Sequence, residues 1–378
     1  MARMVTFVLA FMALVTSAAA QDAASCGAPK PLDDGWGIAA PDSVGLDADR
    51  LCRLDKLLAQ WPNRNIHAVI VARHGKLVME RYFDGADASW GRPLGVVKFA
   101  PQVKQDVKSV SKSATSLLIG IALGEGKFPA LDSRVLDAFP EDADLRTPEK
   151  ERITFRHLLT MSAGLAWDED RPYSDPLNDE RRMLEASDPF RFVLSKPVIH
   201  PAGTIYHYSN GVTSLLGEAL VRSTGRSLQD YAREKLFTPL DITDFDWPDV
   251  GVSRKLGAYG SLRLRPRDMA KLGQLMLTDG QWNGRRVLPT GWAAESAKLR
   301  INGDGLFFYG YQWWLGRSFI NGRELDWVAA FGVGAQRVYV VPALDLVFAI
   351  TTGHYDDSLG YTIASAILNR VVLPAVKD

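Results

Sequence analysis

The run SVSKSATSLLIGIALGEG, residues 109–126, constrains the chain more than any other segment. Leu117, Leu118, Ile119, Ile121, Ala122 and Leu123 leave no polar stripe at helical spacing. A helix that is apolar on every side must be enclosed by the rest of the protein. Gly124 and Gly126 supply its stop. The chain has the material to enclose it: 378 residues, 47% of them hydrophobic, suffice for one large domain or two lobes.

The flanking text divides into blocks. A helix is expected after Asp47, running toward Gln60. His67–Arg73 and Lys76–Phe83, on either side of His74-Gly75, read as a β-hairpin. Residues 84–107 show no period and read as a loop. Helices are expected at Thr154–Met161, Asp179–Ala186, Val212–Ser223 and Leu228–Leu236. Leu256–Leu264 reads as a strand, and Arg267–Asp279 as a helix with Pro266 at its start. Strand signals follow at Gly310–Leu315, Asp326–Ala330, Ala335–Val341 and Leu344–Thr351, then an apolar helix from Leu359 to Val372. Strands at both ends with helices between them imply an α+β fold. One antiparallel sheet is flanked by helices, an α/β sandwich, and a mostly helical lobe is inserted.

The first twenty residues have the form of an export leader. Arg3 is followed by a short apolar run, Met4–Val15, and by Ala18-Ala19-Ala20 before Gln21. That run is too short to span a bilayer, which needs about 20 residues. The expected division is 1–20 leader, 21–50 N-terminal arm and 51–378 main domain. Within the main domain, 51–108 and 257–378 form the α/β part and 109–256 the mainly helical part. The expected location is periplasmic or secreted. There Cys26 and Cys52, the only two cysteines, are able to pair or to remain free thiols.

Charge excludes some functions. Lys plus Arg and Asp plus Glu number 44 each, so the formal net charge is zero and the basic footprint of a nucleic-acid binder is absent. The six histidines make no metal-binding spacing, and no Walker or dinucleotide fingerprint occurs. No cofactor is expected, and the partner expected is a small-molecule substrate. His157, inside an apolar helical segment, reads as structural.

Three short motifs carry chemistry. Ser109-Val110-Ser111-Lys112 sets Ser and Lys on one helix face, a turn apart. Burial disfavours the charged ammonium, so Lys112 is a candidate base for a Ser109 nucleophile. Tyr208-Ser209-Asn210 offers a proton relay in Tyr208, and in Asn210 either a substrate-binding amide or a helix N-cap. Phe331-Gly332-Val333-Gly334-Ala335-Gln336 leads into a strand whose small residues admit a substrate. Gly334, Ala335 and Gln336 are the candidates there for binding and for a backbone oxyanion donor.

In their order and connecting text these motifs resemble the serine β-lactamases, penicillin-binding D-alanyl-D-alanine peptidases and class C β-lactamase-related esterases. Ile153–Leu165 (ITFRHLLTMSAGL), Pro201–Asn210 (PAGTIYHYSN), Leu262–Gly284 and Tyr309–Leu315 (YGYQWWL) carry the resemblance, which covers roughly residues 45–375. It implies a β-lactamase/transpeptidase-like fold with Ser109 acylated, Lys112 as base and Tyr208 as relay. The pattern departs at the third motif, where β-lactamases and peptidases place a Lys or His and this chain has Val333-Gly334-Ala335. That departure favours the esterases and 6-aminohexanoate-dimer hydrolases, and so an ester or amide substrate. A β-lactamase or D-alanyl-D-alanine carboxypeptidase is the alternative, and a non-catalytic penicillin-binding-like protein is the alternative of another class. The loop Trp167–Asn178 is similar to a substrate-facing loop of the dimer hydrolases, which makes Tyr173 a candidate contact.

Overall fold

The computed structural model describes residues 29–61, 64–355, 357 and 359–377. The leader and Cys26 lie outside the described residues, while Cys52 is disulfide-bonded.

In chain order the strands are β1 (Gly37–Ile38), β2 (Ile66–Arg73), β3 (Lys76–Tyr82), β4 (Gly85–Ser89), β5 (Arg92–Val97), β6 (Gln105–Asp106), β7 (Arg263–Leu264), β8 (Gln281–Trp282) and β9 (Arg285–Arg286). They continue with β10 (Ile301–Asn302), β11 (Phe308–Tyr309), β12 (Trp314–Ile320), β13 (Arg323–Gly332), β14 (Gln336–Val341) and β15 (Leu346–Thr352). The helices are α1 (Ala48–Ala59), α2 (Val110–Gly124), α3 (Phe155–Leu159), α4 (Asp179–Glu185), α5 (Pro189–Ser195), α6 (Asn210–Thr224), α7 (Leu228–Ala232), α8 (Pro266–Leu277), α9 (Trp292–Ser296) and α10 (Leu359–Ile367).

Nine strands form one sheet in the order β1-β3-β2-β15-β14-β13-β12-β11-β10. Its pairings are antiparallel except β1 on β3. The N-terminal hairpin joins the C-terminal meander where β2 pairs with β15, Val71 opposite Phe348. The helical segments from α2 to α7 fall between the two halves of the sheet in sequence. One core lies between the sheet and α2, α6 and α8; a second lies between its other face and α1 and α10. Central strands buried on both faces read as continuous apolar runs, as Leu346–Thr352 does.

α2 is buried from Val110 to Ala122 although it carries five hydroxyl or amine side chains in its first two turns. Facing backbone satisfies them. Ser113 donates to Gln312 O at 2.7 Å, Thr115 to Ala258 O at 2.8 Å and Ser116 to Tyr311 O at 2.7 Å. These bonds tie the helix to two separate loops, at Ala258 and at Tyr311-Gln312, and remove the cost of unpaired buried polar groups.

Several elements differ from the sequence expectation. Residues 84–107 contain the ribbon β4–β5; β5 is exposed along almost its whole length, so no apolar alternation marks it. Leu256–Leu264 is a strand only at Arg263–Leu264, because α2 side chains take the carbonyls of Ala258 and Tyr259 from any ladder. Gly310–Trp313 is a turn, with Gln312 at φ 61°, and the strand starts at Trp314. α5 was not expected; Asp188 caps it by accepting from Arg191 N, and Pro189 opens it.

Candidate active site

The turn before α2 is held from below by a buried carboxylate. Asp106 pairs with Lys108 Nζ at 3.1 Å and Arg263 Nε at 2.9 Å, and accepts from Trp90 N at 2.6 Å. Val107 N donates to Leu262 O at 3.0 Å, and Lys108 adopts φ 52°. Ser109 follows as the N-cap of α2. A serine there usually spends its oxygen on capping, yet its side chain makes no capping bond. Instead Lys112 Nζ donates to Ser109 Oγ at 2.9 Å and to Tyr259 O at 2.9 Å.

Lys112 is 1% exposed. Burial lowers its pKa to about 8 against the opposing pull of Glu169 and Glu180. Its ammonium lies 4.8 Å from the Tyr208 ring centre and 5.5 Å from that of Tyr259. Tyr208 arrives on the loop ahead of α6, fixed by His207 N donating to Met161 O at 2.7 Å. Burial, reinforced by Glu169, pushes the Tyr208 hydroxyl far above its usual range, while a hydrogen bond with Ser109 offsets part of that shift. Ser109, Lys112 and Tyr208 therefore converge.

Asn210 joins them without capping the helix. Ser209 caps α6, accepting from Val212 N at 3.2 Å, while Asn210 N donates to Glu169 Oε2 at 2.8 Å. Asn210 Oδ1 is buried with no protein partner. Its side chain also hydrogen-bonds Glu180, as does the Tyr259 hydroxyl.

Glu169 and Glu180 were not singled out from the sequence. Burial raises Glu169 to about 7, with Lys112 opposing, and Trp167 Nε1 donates to it. Burial raises Glu180 as well. Glu169 lies in the loop already marked as substrate-facing, so a signal existed there. Glu180, in the first turn of α4, is indistinguishable in sequence from an acid placed for the helix dipole. Tyr259 carried no signal.

Tyr173 is 58% exposed on that loop and lies within electrostatic range of Glu180 and Tyr259, at the rim. In the third motif the structure moves the point of closest approach. Gly332, at the end of β13, is pressed on the Ser109 turn: a Cβ there would stand 2.4 Å from Val107 O and 3.1 Å from Lys108 Cβ. Val333, next along, is half exposed. Gly334 is covered by the Tyr355 ring, and Ala335 is fully buried. Gln336 spends its amide on Gly334 O at 3.1 Å and Thr352 O at 2.6 Å. The Gln336 side chain is thus a brace for the turn, and Gly332 is the part of the motif pressed on the turn that carries Ser109. His157 completes a capping box with Thr154.

On the far side of Tyr208 stands an aromatic wall. Trp314 stacks on Tyr208 at 6.2 Å and on Phe331 at 5.5 Å, and Phe307 meets Trp314 and Phe331 edge-on.

The family model described as Beta-lactamase matches residues 55–365. The chain belongs to that family. Among its relatives is the 6-aminohexanoate-dimer hydrolase of Paenarthrobacter ureafaciens, 24% identical over 79% of this chain and 77% of that protein. Esterase EstB of Burkholderia gladioli is 27% identical over 66% of this chain and 65% of its own. Among solved structures, a putative 6-aminohexanoate-dimer hydrolase from Bacillus anthracis superimposes with a TM-score of 0.67 at 23% identity, covering 85% of this chain and 81% of that one. EstCE1, a hydrolase with promiscuous acyltransferase activity, does so with 0.67 at 16% identity, covering 88% and 98%. The family carries the β-lactamase fold, and relatives of this chain in it act as esterases and amide hydrolases.

Proposed function

We propose that the protein is a serine hydrolase that cleaves an ester or amide through an acyl-enzyme on Ser109. The carrying observation is the 2.9 Å contact between Lys112 Nζ and Ser109 Oγ in a cleft that depresses the lysine pKa to about 8. At pH 7 such a lysine is neutral in about a tenth of molecules, against roughly one in three thousand for an unperturbed one. Neutral Lys112 takes the Ser109 proton as Oγ attacks the carbonyl carbon. The N–H of Ser109, unpaired within α2 as at every helix N-terminus, and that of Val333 are the proposed oxyanion donors.

Tyr208 keeps its proton at neutral pH because its pKa is raised, so it serves as relay while Lys112 is the resting base. It donates to the leaving oxygen or nitrogen and is reprotonated from Lys112; water then attacks the ester and the proton path runs in reverse. The buried Asn210 Oδ1, which has no protein partner, supports a role for Asn210 in accepting a hydrogen bond from substrate. Tyr173 contributes at the rim. The β-lactamase and carboxypeptidase alternatives fit less well. Glu169 and Glu180 both act on Lys112, and these carboxylates oppose an anionic substrate. The leader-like segment supports export, to be tested by N-terminal sequencing of secreted protein.

The test of the catalytic reading is intact mass after exposure to a fluorophosphonate. One adduct on wild type and none on Ser109→Ala is expected. A folded wild type that forms no adduct refutes it, as does ester hydrolysis that survives in Ser109→Ala.

A further inference from the structure

The two walls beside Ser109 differ in chemistry. Toward Asn210 and Tyr259 lie the carboxylates of Glu169 and Glu180. Toward β12 and β13 the surface is aromatic and open. Trp314 and Phe331 are partly exposed, Phe307 is 37% exposed, and next to them in sequence Leu306 (93%) and Val333 (50%) are exposed as well. Arg337 lies 4.4 Å from the Phe331 ring centre and donates to Gly332 O and Gln336 O. A contiguous exposed apolar surface that starts at a reactive group has a function to serve.

We propose that the leaving group, the alcohol or amine released in the acylation step, is a large uncharged apolar or aromatic moiety that lies along Trp314, Phe331 and Phe307. This rests on the acyl-enzyme reading of Ser109. In that step the Ser109 Oγ–carbon bond forms and the carbon–oxygen or carbon–nitrogen bond breaks. The leaving atom takes the Tyr208 proton, and Tyr208 recovers one from Lys112, which holds the proton from Ser109. The leaving atom must therefore sit at the Tyr208 hydroxyl. Trp314 stacks directly on that tyrosine, so atoms beyond the leaving atom run onto Trp314 and Phe331, and the edge of Phe307 closes the slot. The acyl part faces the polar wall of Asn210, Glu180 and Tyr173. Stacked and edge-on aromatic contacts add to plain area burial.

The experiment compares kcat/KM for methyl, butyl, benzyl and 2-naphthylmethyl acetate with that for methyl acetate, butanoate and octanoate. Wild type is set beside Phe307→Ala and Leu306→Ser, with fluorophosphonate labelling of Ser109 in parallel. The expected result is a rise of about tenfold from methyl to 2-naphthylmethyl acetate. Phe307→Ala should cut that advantage about threefold or more, through KM. Leu306→Ser, on an exposed loop, repeats the test where Phe307→Ala perturbs folding. Rates that follow acyl length and ignore the alcohol overturn the proposal, as do variants that keep the wild-type ratio. In both cases a labelled Ser109 leaves the acyl-enzyme reading standing. Failure of Ser109 to label in folded wild type removes both.

Discussion

Replacing Gly332 by alanine tests whether the end of β13 sets the position of the nucleophile. The new methyl would lie 2.4 Å from Val107 O, 3.1 Å from Lys108 Cβ and 3.1 Å from Gln336 Cβ. Ordinary carbon contacts lie at ~3.5–4.0 Å, so the chain must open by about 1 Å. The Gln336 side cannot yield freely, because its amide is bound to Gly334 O and Thr352 O inside the sheet. The other side is the Val107–Lys108 turn, and its displacement carries Ser109 with it. A shift of about 1 Å at a reacting group costs on the order of 10²-fold in rate, or about 2.7 kcal/mol of barrier. Overpacking should also lower stability by about 1–3 kcal/mol. The assay is the second-order rate of fluorophosphonate labelling, with urea unfolding and circular dichroism to show that the variant is folded. Gly75→Ala is the control. Unlike Gly332 it has positive φ, at 70°, but nothing lies within 4 Å of the added Cβ, and it sits in the β2–β3 turn, far from the strand end under test. It should cost about 1 kcal/mol in stability and leave labelling within twofold. A Gly332→Ala protein that labels within twofold of wild type would show that this strand end does not position the serine.

Three further outcomes follow from the charges. Because Lys112 must be neutral to act, kcat/KM should rise with pH through a midpoint near 8. Glu169→Gln removes a carboxylate that holds the lysine up, so the midpoint should move to lower pH; an unmoved or raised midpoint would contradict the coupling. Arg267, 1% exposed, bonds both Glu80 oxygens at 2.7 Å and Asp34 at 3.1 Å. Arg267→Ala strands the buried Asp34 and the largely buried Glu80 and should cost about 3–5 kcal/mol in urea unfolding, where a loss below 1 kcal/mol would refute the network's importance. His67 is fully buried, and burial lowers its pKa to about 4 from 6.5. The depressed value means the fold favours the neutral ring, so this stability is complete above pH 6.5 and is lost as pH falls toward 4. It amounts to about 3 kcal/mol. His67→Gln should flatten that part of the pH dependence, and an unchanged slope would assign it elsewhere.

What the sequence disclosed, and what it withheld, follows from the range of the interactions. Ser109 and Lys112 were legible because one helical turn joins them, and the burial that lowers the lysine pKa is written in the apolar residues that follow. The sheet was legible where strands are buried on both faces, and illegible in β4–β5, whose exposed residues need no alternation. The pairing of Tyr208 with Lys112 crosses almost a hundred residues, and it entered through resemblance, since no local rule joins the two. Glu169, Glu180 and Tyr259 show the limit most clearly. Each is ordinary in its own segment and becomes unusual only when the fold sets it against Lys112. Asn210 is instructive in the other direction: its place at a helix start allowed a capping role, but Ser209, one residue earlier, takes the cap and leaves the amide free to bond Glu180. Gly332 and Gly334 likewise look interchangeable in FGVGAQ. Only the approach of Val107 O to one and of the Tyr355 ring to the other separates the glycine that seats the nucleophile from the glycine that turns the chain. A local motif thus names the reacting atoms, whereas the electrostatics that make the serine reactive and the contact that aims it are properties of the assembled fold.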